Sequence, residues 1–463
     1  MSGDSSWGSP GSVDGRRTSR RGRTGARGRL SLRVGALGAV AAALAAGLVG
    51  PAVSAGAQDT TTTAAATTTS APGITPTSVT VGSISTLTGP IASNFESLVP
   101  GIQAYFDYVN AHGGVNGRKL VLAHNLDDGG NPSQFNTLAH TLIDQDHVFA
   151  VVGIATAFFS PNYFVETKTP VFGYNVTGNW AGPPNLFAVG GSTQCYTCGV
   201  PAINWWVHQV HGTNVGIVAL GVKSSNGSCM AFANGLEKGG VKVGYTDDAV
   251  SYGGNLAPDV QRMQSAGVNA ILTCMDVNDN LSMARAIQQY GFKGVKQLWL
   301  NGNDQSTLDQ YQNIMQGIYF SIAHVPFIYA STAPATYPGL VAYLAAMKKY
   351  QPHWAYDEVA IQGWESAALF AQGLKAAGPN PTQASLVAAV NKISSFSAGG
   401  LTGPVNWTTA HTISSLPYCN AFIVAKGDQF LPALDKDHKS YVCFGPNGAH
   451  PTLVPVRPGT PGG

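Results

Sequence analysis

Residues 109–128 read VNAHGGVNGRKLVLAHNLDD, and this stretch indicates the fold class. An apolar-periodic helix ends at Gly113-Gly114, because glycine accepts the left-handed backbone that closes a helix. Asn116-Gly117 then predicts a tight turn, since both residues tolerate positive φ. A strand from Lys119 to Asn125 follows, and Asn131-Pro132 caps the next helix. Helix, turn, strand and capped helix in one short segment are typical of a parallel α/β layer.

The same alternation continues along most of the chain. Strands are predicted at 79–84, 119–124, 148–153, 170–174, 215–220, 241–246, 269–274, 297–300 and 318–322. Helices are predicted at 98–111, 133–145, 230–238, 257–266 and 281–290. This order favours parallel sheets with helices on both faces. One doubly wound sheet rarely holds so many units, so we expect two lobes.

Two more segments extend the opening pattern. The strand Val79–Ile84 leads into Leu87-Thr88-Gly89-Pro90, and residues 401–407 read LTGPVNW. With residues 109–128, these segments resemble the type I periplasmic solute-binding proteins of the branched-chain amino acid family, the receptors that feed ABC importers. The resemblance runs from about Val79 to about Leu434. It implies two doubly wound parallel-sheet lobes, a three-segment hinge, capture of a small molecule by lobe closure, and an ABC importer permease as partner.

The resemblance also implies a division of the chain. The crossings between lobes are expected near 191–200, 324–330 and 399–402, where Gly, Pro or Ser is frequent. The predicted parts are a signal peptide at 1–57, a Thr/Ala-rich linker at 58–77, lobe 1 at 78–190 plus 327–399, lobe 2 at 191–326 plus 400–445, and a disordered tail at 446–463.

The first 57 residues predict export. Arginines from Arg16 to Arg33 precede an apolar run at Val34–Val53, and Ala55-Gly56-Ala57 fits a cleavage site. A membrane anchor is the alternative, since the run is near spanning length. We expect cleavage after Ala57, which leaves an extracellular or cell-envelope protein that does not span the membrane. No cysteine precedes Cys195, so no lipid anchor is expected.

Charge excludes nucleic acid as a partner. The leader holds eight arginines and two aspartates, so the remaining 18 basic and 22 acidic residues give a formal charge of −4. No basic cluster is left to bind phosphates.

All six cysteines lie after the leader, and an even count in an exported chain indicates disulfides. Fifteen pairings are possible. We predict Cys419–Cys443 in the C-terminal segment, Cys195–Cys198 as a short loop, and Cys229–Cys274 as the remaining pair. The alternative function is a secreted thiol oxidoreductase, in which Cys195 and Cys198 form a redox pair.

The resemblance places six candidate ligand-binding residues at the edge of lobe 1. Ala157 stands where the family has a serine that contacts the ligand carboxylate. The hydroxyl of the adjacent Thr156 is the candidate to replace that serine; the alternative is that Thr156 caps a helix. Val176-Thr177 stands where the family has Ala-Thr, which binds the ligand head group; Thr177 otherwise stabilises a turn. Asn94-Phe95 stands where the family has a pocket aromatic.

In lobe 2, Asn226 replaces a tyrosine that the family often has. Asp276 and Asp304 each follow a strand. Relatives that bind α-amino acids place a carboxylate from this lobe against the ligand amine, and these two residues are the candidates for it. The alternative is that each is an ordinary loop acid. Ala157, Val176 and Asn226 depart from the family pattern, so an amino acid, an amide and an aromatic or aliphatic acid stay open as ligands.

No catalytic residue and no cofactor is predicted. The chain has no G-x-S-x-G elbow, P-loop or dinucleotide-binding fingerprint. His208 and His211 have helical spacing, but no neighbouring residues complete a metal site.

Overall fold

A computed structural model describes residues 71–193, 200–354, 356–412, 418–433 and 442–444. The predicted signal peptide, most of the linker, the C-terminal tail and the pair Cys195 and Cys198 lie outside these ranges.

The opening segment folds as its sequence predicts. Helix α1 ends at Ala111, and Gly113, Gly114 and Gly117 all have positive φ. A Cβ at Gly114 would lie 2.0 Å from the carbonyl oxygen of Arg118, so this turn requires glycine. The side chain of Asn131 then accepts hydrogen bonds at the start of the next helix, α2.

Five parallel strands form the first sheet in the order β2-β1-β3-β4-β5. They are β1 Ser78–Ser85, β2 Lys119–Asp127, β3 Ala150–Ala155, β4 Val171–Gly173 and β5 Leu186–Ala188. Alternate residues of β3 pack into different apolar clusters, Val152 in one and Val151 in another. The sheet is therefore buried on both faces, as in doubly wound proteins.

The second sheet has the order β12-β11-β10-β9-β8-β6-β7, and β13 also pairs with β11. Strands β6 to β10 are parallel, whereas β11 runs antiparallel to β10. The strands are β6 Asn214–Leu220, β7 Lys242–Val250, β8 Ala270–Cys274, β9 Lys296–Trp299, β10 Tyr319–Ile322, β11 Tyr418–Lys426, β12 Gln429–Pro432 and β13 Val442–Phe444. The predicted class, α/β with two mainly parallel sheets, is confirmed.

Helices connect the strands and cover the sheets. They are α1 Leu98–Ala111, α2 Pro132–His140, α3 Asn162–Thr167, α4 Pro201–Gln209, α5 Lys223–Lys238, α6 Ala257–Ser265, α7 Val277–Gln289, α8 Gln305–Met315, α9 Tyr329–Thr332, α10 Pro338–Tyr350, α11 Glu358–Ala377 and α12 Gln383–Val390. The helix predicted at 133–145 is divided, because a π-helical turn at Thr141–Gln145 follows α2. Helix α5 begins at Lys223, seven residues before its predicted start.

The path of the chain alternates between the sheets. It leaves the first sheet after β5 and builds the second from β6 to β10. It then returns to the first sheet, where α10 packs on α1, and α11 packs on α1, β3 and β4. Finally β11 joins the second sheet again. The lobe boundaries given above stay a prediction.

The segment 71–77 differs from its assignment to the linker. Ile74 forms a bridge with Val79 and packs against the apolar core. Arg118 Nε donates a hydrogen bond to the carbonyl oxygen of Thr75 at 2.7 Å. Partial burial of Ile74 attaches this segment to the first sheet, and the boundary between linker and lobe 1 stays a prediction.

Candidate functional site

A cavity of about 380 Å³ lies where loops from both sheets meet. Its walls come from segments that follow the carboxyl ends of β1, β3 and β4 in the first sheet, and of β6, β8 and β9 in the second. The start of α11 completes it. Ligands of open α/β sheets bind at this edge of the strands. The cavity is therefore the candidate ligand site.

The first-sheet wall is largely apolar. Phe95, Ala157, Tyr174 and Val176 line it, together with Asn94. The rings of Phe95 and Tyr174 are tilted against each other with centroids 6.4 Å apart. Four positions predicted from the resemblance, Asn94, Phe95, Ala157 and Val176, thus share one surface.

Thr156 is buried below that surface and is not part of the lining. Thr86 Oγ1 donates a hydrogen bond to Thr156 Oγ1 at 3.1 Å, and the backbone N–H of Phe158 donates to the same oxygen at 3.1 Å. The hydroxyl oxygen therefore already accepts two bonds, the second from the turn that follows β3. Thr156 thus stabilises the turn after β3 and does not cap α3, whose N-cap is Pro161; its contact with the ligand stays a prediction.

Thr177 also lies outside the lining. It precedes a short 3₁₀ helix, Gly178–Trp180, and its Oγ1 accepts a hydrogen bond from the N–H of Asn179 at 3.4 Å. This is the turn-stabilising alternative. Thr177 is therefore not part of the cavity wall, and its contact with the ligand stays a prediction.

The second-sheet wall contains the polar and acidic groups. Ser224, Ser225 and Ser228 face the cavity from the first turns of α5. Asn226 is not in the lining, although it was predicted to be. The segment was read as a loop, but it is helical, and the helix directs Asn226 away from the face that carries the three serines.

Asp276 and Asp304 line the cavity as predicted, and each also caps a helix. Oδ1 of Asp276 accepts from the N–H of Asn278 at 2.8 Å at the start of α7. Oδ1 of Asp304 accepts from the N–H of Thr307 at 2.7 Å at the start of α8. One oxygen of each carboxylate is thereby used in the fold, so the two alternatives for these residues are compatible.

Asp357 and Glu358 are lining residues that the sequence reading missed. Asp357 is the N-cap of α11, where its Oδ1 accepts from the N–H of Ala360 at 2.7 Å. An aspartate before a long helical stretch is a readable signal for a helix start. That signal does not show that the helix start faces the cavity, because its position depends on how α11 packs against the first sheet.

Burial dominates the electrostatics of these carboxyl groups. It raises the pKa of Glu358 to about 8, although the N–H of Ala323 and the side chain of Asn303 stabilise the carboxylate. Burial also raises the pKa of Asp357 to about 6, against hydrogen bonds from Ala360 and Ser97. Glu358 is therefore mainly neutral at pH 7.

A second acidic pair lies at the second-sheet wall, at the start of α7. Burial and the neighbouring Asp276 raise the pKa of Asp279 to about 7, although the N–H of Gly253 donates to its Oδ1 at 2.9 Å. Asp279 is only 1% exposed and lies behind Asp276, which reaches the cavity surface.

The predicted bridge between Cys229 and Cys274 is present, with Cα atoms 5.8 Å apart. It ties α5 to the end of β8, and Cys274 itself lines the cavity. In the C-terminal strands, Cys419 and Cys443 are opposite each other in the β11–β13 register. Their bond stays a prediction, as does the pairing of Cys195 with Cys198.

The part of the chain that the structure describes contains no cluster of three His, Cys, Asp or Glu side chains suited to a metal ion. His208 lies on α4, whereas His211 follows the helix with φ of 58°. The described helices also include none with the length and apolar character that a bilayer crossing needs.

Two mainly parallel sheets whose loops enclose one cavity define a class of ligand-binding proteins that close around small molecules. The chain belongs to the periplasmic binding protein family, whose model matches residues 78–418. This is a family of binding receptors rather than of enzymes, and it does not support the thiol oxidoreductase alternative.

Curated relatives are similar over part of the chain. A Leu/Ile/Val-binding protein homolog 3 from Brucella melitensis is 25% identical over 199 residues, which are 42% of this chain and 53% of the relative. The Leu/Ile/Val-binding protein BraC3 from Rhizobium johnstonii is 31% identical over 121 residues, 26% of this chain and 32% of the relative. The chain thus spans about half the length of the first and a third of the second.

Solved structures share the fold. A fatty acid ABC transporter substrate-binding protein from Thermomonospora curvata has a TM-score of 0.67 at 20% identity, covering 84% of this chain and 98% of that one. A leucine binding protein from Thermotoga maritima has a TM-score of 0.60 at 16% identity, covering 76% of this chain and 97% of that one.

Proposed function

We propose that the protein is an exported receptor that captures a small organic solute by closure of its two lobes and delivers it to the permease of an ABC importer. The observation that carries this proposal is the cavity itself, because loops at the carboxyl ends of both sheets contribute to one site of about 380 Å³. A solute that contacts both walls binds the closed form more tightly than the open one. That difference in affinity drives closure.

Family membership and the relatives support this role. The relatives named above are Leu/Ile/Val-binding proteins, and the similar structures include receptors for fatty acids and for leucine. The volume of the cavity suits a molecule of this size. We propose an amino acid or a related small acid or amide as the starting range of solutes. We also propose that the exported protein acts outside the cytoplasmic membrane.

The first test identifies the solute and the motion together. Native mass spectrometry of the exported protein is expected to show a small molecule that leaves on denaturation. Adding the molecule back to stripped protein is expected to reduce the radius of gyration in X-ray scattering. Stripped protein that shows neither a recoverable solute nor contraction with any solute would contradict the receptor role.

A matched pair of variants ties binding to this cavity. Ala157→Trp places a large side chain in the cavity, whereas Val165→Trp places the same side chain at a position that is 38% exposed on the surface. We expect Ala157→Trp to weaken binding at least tenfold and Val165→Trp to leave it unchanged. Equal binding by both variants would move the site elsewhere.

Delivery is tested in the producing cell. Loss of the protein is expected to lower uptake of the recovered solute, and the Ala157→Trp chain is expected not to restore it. Uptake that does not depend on the protein would contradict its role in import.

A further inference from the structure

The charged groups around the cavity all have one sign. Asp276, Asp304, Asp357 and Glu358 line it, and none of the described lining residues is Lys, Arg or His. A carboxylate solute would meet these acids without a compensating cation. A positively charged solute would meet complementary charge on two sides.

One acidic pole is the pair Asp276 and Asp279. Asp279 is 1% exposed, and neither its Oδ2 nor that of Asp276 has a hydrogen-bond donor from the described residues. The two carboxyl groups lie against each other, and burial together with this contact raises the pKa of Asp279. A buried carboxylate oxygen without a donor is costly, so this pair is complete only with a proton or a positive charge beside it.

Asp304, Asp357 and Glu358 form the other pole. The charge of Asp304 acts on Asp357, and that of Asp357 acts on Glu358, so each disfavours ionisation of the next. The structure provides amides and backbone N–H groups here but no positive side chain among the described residues. Burial is the main cause of the raised pKa values of Asp357 and Glu358, and a cation beside them would favour their ionised forms.

Two of the hydroxyl groups that line the cavity are already engaged. Ser225 Oγ donates to the carbonyl oxygen of Cys274, and Ser228 Oγ donates to that of Ser224. Thr156, the expected partner of a ligand carboxylate, and Thr177, the expected partner of the ligand head group, lie outside the lining. The described lining therefore offers a carboxylate only uncharged donors, beside four acidic side chains.

Aromatic rings provide further surface for a cation. Phe95, Tyr174 and Phe232 line the cavity, and Tyr252 lies near Asp276 and Asp279. The faces of such rings attract ammonium groups, most strongly where water is excluded.

We infer that the solute is an organic cation with a net positive charge, an amine or a quaternary ammonium compound, held between the Asp276–Asp279 pair and the Asp357–Glu358 pair. This inference rests on the proposed receptor function. It replaces the starting range of solutes with organic cations and excludes acids and neutral amino acids.

A panel of solutes of similar size but different charge tests the class. Stripped protein is titrated calorimetrically with cadaverine, choline, L-lysine, L-leucine and hexanoate. At least one cation is expected to bind tenfold or more tightly than L-leucine, and hexanoate is expected not to bind. Tighter binding of L-leucine or hexanoate than of every cation would overturn the cation inference and leave the receptor role intact. Failure of all three cations would also overturn it.

Carboxamide variants test the two poles. Glu358→Gln and Asp276→Asn are each expected to weaken the cation at least tenfold. Glu166→Gln, at an exposed position outside the cavity, removes the same charge and is expected to change affinity less than twofold. Thermal unfolding of each free variant shows whether it is folded. Folded pole variants that bind as tightly as the original protein would overturn the inference.

Proton release separates a direct role from a structural one. The titratable groups that interact with Glu358 are Asp357, Glu365 and Tyr174, and Asp304 acts on Asp357; none of them is a cation. With a pKa of about 8, Glu358 is roughly one-tenth ionised at pH 7, so affinity for choline or another cation of constant charge is expected to rise up to about tenfold from pH 7 to 9. Titrations in buffers of different ionisation enthalpy should show protons released on binding, and fewer in Glu358→Gln. Uptake of protons, or none exchanged, would contradict a cation at this pole.

Discussion

The hydroxyl of Ser97 donates a hydrogen bond to Oδ1 of Asp357 across 2.8 Å, between residues 260 positions apart in the sequence. Ser97 precedes α1, and Asp357 caps α11. The contact therefore fixes a carboxyl group of the cavity by joining the starts of two helices that pack against each other. It also stabilises the ionised form of Asp357.

Ser97→Ala removes this donor. Hydrogen bonds to ionised groups contribute about 1.5–3 kcal/mol, so the free energy of unfolding at pH 8 is expected to fall by about that amount. The difference should shrink near pH 5, where Asp357 is mainly protonated in both proteins. Urea denaturation at both pH values measures it, with exposed Ser133→Ala as the control. A loss of equal size at both pH values would assign the effect to packing.

Gly101 marks the closest approach of α1 and α11. A Cβ at Gly101 would lie 1.8 Å from the carbonyl oxygen of Ala360, and one at Gly363 would lie 2.0 Å from that of Leu98. Alanine normally stabilises a helix relative to glycine by about 1 kcal/mol. Here the clash must separate the helices, and overpacking costs about 1–3 kcal/mol or more.

We therefore expect Gly101→Ala to lower the free energy of unfolding, against the trend of helix propensity. Gln103→Ala, two residues further along α1, is the control and should change stability by less than about 1 kcal/mol. Chemical denaturation of both variants measures the difference. A Gly101→Ala protein as stable as the original would show that the two helices can move apart freely.

The Cys229–Cys274 bridge closes a loop with a sequence separation of 45. The chain-entropy estimate for such a loop is about 4 kcal/mol. The double variant Cys229→Ala/Cys274→Ala is expected to lose up to that amount, as measured by denaturation without reductant. Reductant should then destabilise the original protein more than the double variant. If reductant destabilises both proteins equally, the disulfide that stabilises the fold involves other cysteines.

Glu365 is 1% exposed, and its Oε1 has no hydrogen-bond partner in the described part of the chain. Burial and the charge of Glu358 raise the pKa of Glu365 well above its ordinary value. The folded protein thus keeps a proton that the unfolded chain loses above a pH of about 4.3. The free energy of unfolding therefore falls as pH rises, by up to about 1.4 kcal/mol per pH unit for this group.

Glu365→Gln removes that titration. The variant is expected to gain stability relative to the original protein from pH 5 to 7.5, because glutamine cannot ionise. Urea denaturation across this range measures the slope, and exposed Glu237→Gln should leave it unchanged. An unchanged slope in Glu365→Gln would mean that the folded protein holds the group ionised.

Thr177 allows the resemblance and the structure to be compared directly. The family pattern predicts that Thr177→Val weakens ligand binding, whereas the structure engages its hydroxyl oxygen with the N–H of Asn179. We expect affinity for the recovered solute to change less than twofold. Val176→Trp, at the neighbouring lining position, should reduce it at least tenfold. Strong weakening by Thr177→Val would restore the contact that the resemblance implies.

The order of strands and helices was readable from the sequence because it depends on local chemistry. Gly113-Gly114 and Asn116-Gly117 end a helix and turn the chain through their own backbone preferences. The pairing of Cys229 with Cys274 was also readable, since parallel neighbours bring the ends of their strands together. Ala157, Asp276 and Asp304 were proposed as ligand-binding from the family resemblance and their positions after strands, and all three line the cavity.

Other features of the site depend on tertiary structure. Asn226 is not in the lining because α5 starts earlier than the sequence predicted. The hydroxyl oxygens of Thr156 and Thr177 accept local hydrogen bonds that depend on how the loops fold. Asp357 and Glu358 entered it because α11 packs on α1 and so brings its first turn to the cavity. Local sequence determines where an element begins and ends, whereas contacts between residues far apart in the chain decide which side chains share a site and how far burial shifts their charge.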